Sequence, residues 1–253
     1  MALTDTVPAR SGVLRRARPK LEWAHAFKAM RRLLADKEDT VQVFEIMRAL
    51  NGASTARGYH CLLTTAEGGR IAYERRELAR RLMDDAWLDT LPEGSVGAAY
   101  RGFVRSERLS AEGLAEVSRA GASRIEEPHP YAWFGRRTRD AHDIWHVLTG
   151  YGRDALGEAC LVAFSYAQTK GLGWAFIAVA AALRSRQAGG YPYVRAILEG
   201  YRRGRAAAWL LGEDYEQLMA EPIEAARRRL AIGPARIYDS IPPEARDGAV
   251  AAR

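Results

Sequence analysis

Lysine is almost missing from this chain: four of its 38 basic residues are lysines and 34 are arginines. In an alanine-rich sequence so strong a bias reflects coding composition more than ligand recognition, so the formal charge of +7 does not by itself imply nucleic acid. Basic residues are spread among acids, and zinc-finger, RNA-recognition and helix-turn-helix signatures are lacking, which argues against nucleic-acid binding. An anionic membrane surface suits the excess charge better. Cysteine is also scarce. Cys61 and Cys160 lie far apart in apolar, helix-like segments, which excludes a secreted disulfide framework and fits a reducing compartment with both thiols in the core. No apolar run is long enough to span a bilayer: the most apolar stretch, Leu172 to Leu183, has 12 residues, against about 20 for a spanning helix. Strand-like alternation, internal repeats, low-complexity tracts and a glycine-rich phosphate loop are all lacking.

What is present reads as helix. At 253 residues and 48% hydrophobic content the chain can bury a substantial core. Trp23, Phe27, Met30 and Leu34 recur at helical spacing, as do Val43, Met47 and Leu50 before Asn51-Gly52, and these are expected to be core stripes. Gly68-Gly69 predicts a turn, Leu78 to Leu88 an amphipathic helix, and Pro92 with Gly94 a further break. The spacing predicts an all-α, multi-helix single domain over residues 21–235, preceded by a basic arm (residues 1–20) and followed by a tail (236–253). In the arm, Arg10, Arg15, Arg16, Arg18 and Lys20 face a single acid, Asp5, without the apolar core of a secretory signal. A disordered arm is the expectation and a transit peptide the alternative. Arg202, Arg203 and Arg205, and Arg227 to Arg229, are expected to be solvated helix faces or to meet an anionic lipid or a substrate carboxylate.

The chemistry concentrates in His142-Asp143-Ile144-Trp145-His146, followed after eleven residues by Glu158. Residues four apart on a helix share a face, so His142 and His146 can converge on one cation, with Asp143 beside them. The helix is expected to begin among Tyr131 to Thr138, after the break at Glu126 to Pro130, where His129 is a loop residue. Gly150-Tyr151-Gly152 ends it, and a second helix from Ala155 carries Glu158 one turn in. Two imidazoles and two carboxylates make a reasonable shell for a divalent transition metal. A zincin would have Glu where Asp143 stands. An HD phosphohydrolase would need a further His and Asp on other helices, for which His60 and Asp214 or Asp239 could be nominated.

The His-Asp-x-x-His motif, eleven residues and Glu resemble the metal motif of the ubiquinone (coenzyme Q) biosynthesis protein 4 family. Leu91-Pro92-Glu93-Gly94-Ser95-Val96-Gly97, Leu156-Gly157-Glu158, Gly200-Tyr201-Arg202-Arg203-Gly204, Tyr215-Glu216 and Arg227 to Ile232 are similar to segments of that family. The likeness covers roughly residues 91 to 232.

That resemblance implies a role in ubiquinone synthesis: removal of the C1 carboxylate of a polyprenylated 4-hydroxybenzoate-derived ring, with a hydroxyl taking its place. His142, Asp143, His146 and Glu158 would hold the metal, zinc by the usual assignment, iron or another redox-active ion if the step is oxidative. It also implies an apolar groove for the prenyl tail, which the small residues of Leu172 to Leu183 could wall, although close helix packing explains them equally. Expected partners are a polyprenylated aromatic substrate or isoprenoid lipid, other quinone-biosynthesis proteins and a membrane surface, with a homodimer left open. The expected place is the cytoplasmic face of a bacterial inner membrane, or the matrix face in a mitochondrion. The competing reading is a non-catalytic organiser of a quinone-synthesis complex with a structural metal.

Overall fold

Breaks in the helical pattern, more than any one strong helix, set the architecture of this computed structural model, which describes residues 20–36, 39–108, 129–188 and 190–247. The N-terminal half holds α1 (Trp23–Ala35), α2 (Thr40–Ala49), α3 (Ser54–Leu62), α4 (Ala66–Glu74), α5 (Leu78–Leu82), α6 (Asp85–Thr90) and α7 (Val96–Arg108). After it come α8 (Pro130–Asp140), α9 (His142–Thr149), α10 (Ala155–Thr169), α11 (Leu172–Ala188) and α12 (Tyr191–Ala206). A 3-10 turn (Leu210–Gly212) leads to α13 (Tyr215–Ala220), α14 (Ile223–Arg229), α15 (Arg236–Asp239) and α16 (Pro243–Arg246). Among the described residues there is no strand beyond an isolated bridge between Ser95 and Pro222. The all-α expectation holds. Of the basic arm expected over residues 1–20, all but Lys20 lies outside the described residues.

The core is built around α10. Its buried side chains, among them Leu156, Cys160, Leu161, Phe164 and Ala167, point in every direction around the axis, the pattern of a helix packed on all sides. α12 lies directly on it because Gly200 and Gly204, one turn apart, let the backbones meet. A Cβ at Gly200 would stand 2.4 Å from the Cys160 carbonyl oxygen, and one at Gly204 2.6 Å from that of Phe164. α1 and α2 form a separate apolar cluster around Met30, Ile46 and Leu50, joined at their open ends by a bond from Glu22 N–H to the Ala49 carbonyl.

Several local expectations are corrected. Gly68 and Gly69 lie inside α4 rather than in a turn: Thr65 caps that helix by accepting from Gly68 N–H at 3.0 Å. Gly68 lies so close to the preceding helix that a Cβ would come within 1.9 Å of the Leu62 carbonyl oxygen. The helix expected over Leu78 to Leu88 is two helices, because Asp84 caps the second through Trp87 N–H at 3.0 Å. Trp23 and Phe27 are exposed, and only Met30 of that stripe is fully buried. Cys61 is exposed as well, while Cys160 is buried. Successive helical residues point about 100° apart, and on α3 it is Leu62 that turns inward.

The segment Leu91 to Gly97 starts α7. Gly94 takes a positive φ of 75°, and the Ser95 hydroxyl accepts from Ala98 N–H at 3.1 Å as the N-cap. Bonds from Val96 N–H to the Glu221 carbonyl and from Ile223 N–H to the Gly94 carbonyl tie the turn to the segment entering α14. This fixes the helix that carries Phe103 to the candidate site.

Candidate metal centre

His142 opens α9 immediately after α8, so the stretch Tyr131 to Thr138 belongs to a separate helix and not to the one bearing the histidines. His129 caps α8 through its Nδ1, which accepts from Tyr131 N–H at 3.2 Å. α9 ends where expected: Gly150 takes the left-handed conformation at φ 77° and its N–H reaches the His146 carbonyl at 2.9 Å. Asp154 then caps α10 by accepting from Gly157 N–H at 2.8 Å. The turn folds hard against that first helical turn, since a Cβ on Gly157 would stand 2.1 Å from the Gly152 carbonyl oxygen. Glycine at 157 therefore lets Glu158 approach α9.

His142, Asp143 and His146 bring one donor atom each within 4.8 Å of one another. Two atoms each about 2.1 Å from one ion are at most about 4.2 Å apart, so a span of up to 4.8 Å is close to coordination distance. Glu158 stands beside this trio, its Oε1 at 3.2 Å from His146 Nε2. The imidazoles meet edge to face with centroids 4.9 Å apart. Phe103 stacks on His146 at 5.3 Å and Trp174 of α11 on His142 at 5.9 Å. Arg153 reaches Asp143 at 3.4 Å.

The tautomer of His146 follows from its partners. Its Nδ1 lies 2.9 Å from the Tyr151 carbonyl oxygen, which can only accept, so Nδ1 carries the hydrogen and Nε2 is the nitrogen whose lone pair is available whenever the ring is neutral. That Nε2 is buried and lacks a hydrogen bond: its approach to Glu158 has the distance of an ion pair without hydrogen-bond alignment. A ring held through one nitrogen, with the other directed at carboxylate and imidazole, is the usual arrangement of a metal-binding histidine. An ordinary His–Glu ion pair explains the 3.2 Å contact but not the convergence of His142 and Asp143. Burial opposes charge on all three of the following groups, yet their neighbours prevail. Glu158 and the Tyr151 carbonyl raise the His146 pKa; His142 and Arg153 hold Asp143 below the usual carboxylate range; His146, His142 and Arg153 do the same for Glu158. The donors thus include two carboxylates kept ionised, which suits a divalent cation.

The nominated phosphohydrolase residues lie elsewhere. His60 pairs with the Tyr131 hydroxyl at 3.0 Å, Asp214 caps α13 and binds Arg70, and Asp239 is exposed on α15.

The arginine runs hold the main surprise. Arg203 is buried and donates to the Thr149 carbonyl at 2.7 Å and the Gly233 carbonyl at 2.6 Å. Arg227 donates to the carbonyls of Leu148 at 3.0 Å and Val147 at 2.9 Å. Both therefore bind the last carbonyls of α9, which have no partner within the helix, and correct the reading of these residues as solvated. The guanidinium of Arg203 also lies over the Tyr151 ring at 4.7 Å, next to the carbonyl that orients His146. The available signal was the position of Arg203 between the paired glycines of α12, which forces it into the interface. A cavity of about 550 Å³ opens beside these arginines, lined also by Gly150, Glu224, Ala231 and Asp239.

The protein is all-α, and two of its helices bring His142, Asp143 and His146 together with Glu158 against His146. Residues 21–236 match the model of the coenzyme Q (ubiquinone) biosynthesis protein Coq4 family, and the chain belongs to that family. The mitochondrial ubiquinone biosynthesis protein COQ4 homolog of Rattus norvegicus is 31% identical over 170 residues, 66% of this chain and 62% of the rat protein. The mitochondrial protein coq4 of Neosartorya fischeri is 28% identical over 192 residues, covering 72% and 64% of the two chains. The match thus spans less than two thirds of either relative. A crystal structure of a candidate ubiquinone biosynthesis protein from Nostoc punctiforme shares the fold, with a TM-score of 0.57 and 20% identity over 85% of this chain and all of that one. Family membership supports a role in ubiquinone biosynthesis. Among the described residues no helix is long and apolar enough to cross a membrane.

Proposed function

We propose that the chain binds a divalent metal through His142, Asp143, His146 and Glu158 and uses it to replace the C1 carboxylate of a polyprenylated 4-hydroxybenzoate-derived ring with a hydroxyl. The observation that carries this reading is the buried Nε2 of His146, its ring oriented by the Tyr151 carbonyl, directed at Glu158 Oε1 at 3.2 Å beside His142 and Asp143.

A bound ion would supply Lewis acidity toward the ring oxygens. Loss of CO₂ leaves an electron pair on the ring carbon, and its exchange for hydroxyl removes two electrons, so an external oxidant is required. Zinc fits the nitrogen and oxygen donors; a redox-active ion such as iron fits the oxidation. Phe103 and Trp174, stacked on the two imidazoles, would hold the rings in place. The prenyl tail would run along the small residues of α11, in an apolar groove. The expected partners are other quinone-synthesis proteins and a membrane surface, on the cytoplasmic face in a bacterium or the matrix face in a mitochondrion.

The test uses cells lacking the protein, complemented with wild type or Glu158→Ala. Catalysis at C1 requires that the variant be made normally, join its partners, and leave carboxylated prenyl precursors accumulating. If quinone synthesis instead tracks the amount of assembled complex with no block at C1, the protein is an organiser. Normal quinone from Glu158→Ala removes that residue from the site.

A further inference from the structure

α11 is apolar all round between Leu172 and Leu183, yet one side of it faces outward. Val179 is 59% exposed and Leu183 62%, and with Leu172 and Phe176 they follow helical spacing along one stripe. A helix without a polar face belongs inside a protein or against another apolar phase. Phe176 joins this stripe to α1, where Trp23 and Phe27 are 42% and 56% exposed. The Phe27 and Phe176 rings meet edge to face at 4.9 Å, and Trp23 meets Phe176 at 6.0 Å. The result is a continuous aromatic and aliphatic surface spanning two helices.

Within the two helices its charge has one sign, the exposed Glu22 standing just before Trp23. α1 carries Lys28, Arg31 and Arg32, and α11 carries Arg184 and Arg186, with no Asp or Glu within either helix. Lys28 and Arg31 are exposed beside the aromatic pair. A second copy of this chain docked face to face would set these cations against their own images. An anionic lipid surface complements them, and Trp and Phe are side chains that enter the headgroup region.

We propose that this face, Trp23 and Phe27 of α1 with Val179 and Leu183 of α11, is the surface by which the protein lies on an anionic bilayer. It deepens the function proposed above, on which it rests only for the expectation of a lipid-borne substrate. α11 serves both places: its Trp174 ring stacks on His142 while its stripe meets the lipid, so the candidate metal centre sits one helix away from the membrane.

The experiment is sedimentation of the full chain with vesicles of phosphatidylcholine alone or mixed with phosphatidylglycerol. Wild type should bind the mixed vesicles preferentially. Lys28→Gln with Arg31→Gln should weaken binding about thirtyfold, and Phe27→Ser with Val179→Ser at least roughly tenfold. Tyr73→Ser and Met83→Ser, at exposed apolar positions on other elements, should leave it unchanged. Equal loss at those control positions, unchanged binding in the patch variants, or indifference to phosphatidylglycerol would overturn the proposal. So would a dimer that the patch variants dissociate while vesicle binding persists, since the face would then belong to a second copy. Metal content measured on the same preparations separates the two readings. Metal-free protein that binds lipid through this face defeats the catalytic reading alone, whereas metal-loaded protein with unaltered patch-variant binding defeats the face alone.

Discussion

Gly200→Ala tests the packing that underlies the whole centre. The added Cβ would stand 2.4 Å from the Cys160 carbonyl oxygen and 3.1 Å from its carbon, roughly 1 Å short of ordinary contact. The obstacle is backbone, so no rotamer change relieves it, and α10 and α12 must separate. Overpacking of this kind costs about 3 kcal/mol, offset by roughly 1 kcal/mol from the better helix propensity of alanine. The expected net loss is therefore about 2 kcal/mol, read by urea unfolding monitored by far-UV CD. Gly102→Ala is the matched control: it also lies within a helix, α7, and a Cβ there meets nothing within 4 Å. It should stabilise the protein by up to about 1 kcal/mol. Because Glu158 precedes Cys160 by two residues on α10, Gly200→Ala should also weaken metal binding, and Gly102→Ala should not. A Gly200→Ala protein as stable as wild type would refute the close-crossing argument, as would equal destabilisation by both variants.

Arg203→Ala should destabilise by about 3 kcal/mol in the same assay, because the Thr149 and Gly233 carbonyls lose a charged donor. Arg203→Lys should recover only part, an ammonium being unable to bridge both carbonyls and cover Tyr151; full recovery would reduce Arg203 to a simple charge. Purified protein should carry close to one divalent ion per chain, and His146→Ala should lose most of it while remaining helical by CD; metal-free wild type isolated without chelators would count against the site. Native protein should present one fast-reacting thiol, Cys61, with Cys160 reacting only on unfolding, since its side chain is buried and burial pushes its pKa well up. Two fast thiols would mean that α10 is not the core helix.

The order of helices was largely legible because apolar spacing and glycine breaks are local signals. The errors came where a choice depended on a neighbour. Gly68-Gly69 has the composition of a turn, but the closeness of α4 to Leu62 requires glycine within a helix. Trp23 and Phe27 have core spacing, and nothing in their own segment reveals that the side they face is left uncovered. Cys61 and Leu62 are adjacent and both apolar, so their opposite burial is decided by which way α3 rolls against its partners.

At the candidate site, spacing alone sufficed for His142, Asp143, His146 and the return of Glu158, because i and i+4 geometry and a glycine turn are properties of the local chain. It could not show what holds those residues still. α9 has only eight residues, too few to be stable by itself, and three consecutive carbonyls at its end need external donors. Arg227 supplies two of them and Arg203 the third. Each arginine is distant in sequence, and the demand they meet is backbone chemistry that no motif records. At the other end of the turn, Gly157 lets the segment close until the Tyr151 carbonyl meets His146 Nδ1. His146 is thus set by a backbone oxygen whose position depends on both the arginine-capped helix end and the glycine-packed start of α10. A substitution at Arg203 or Gly157 should therefore act at the centre without removing any proposed ligand.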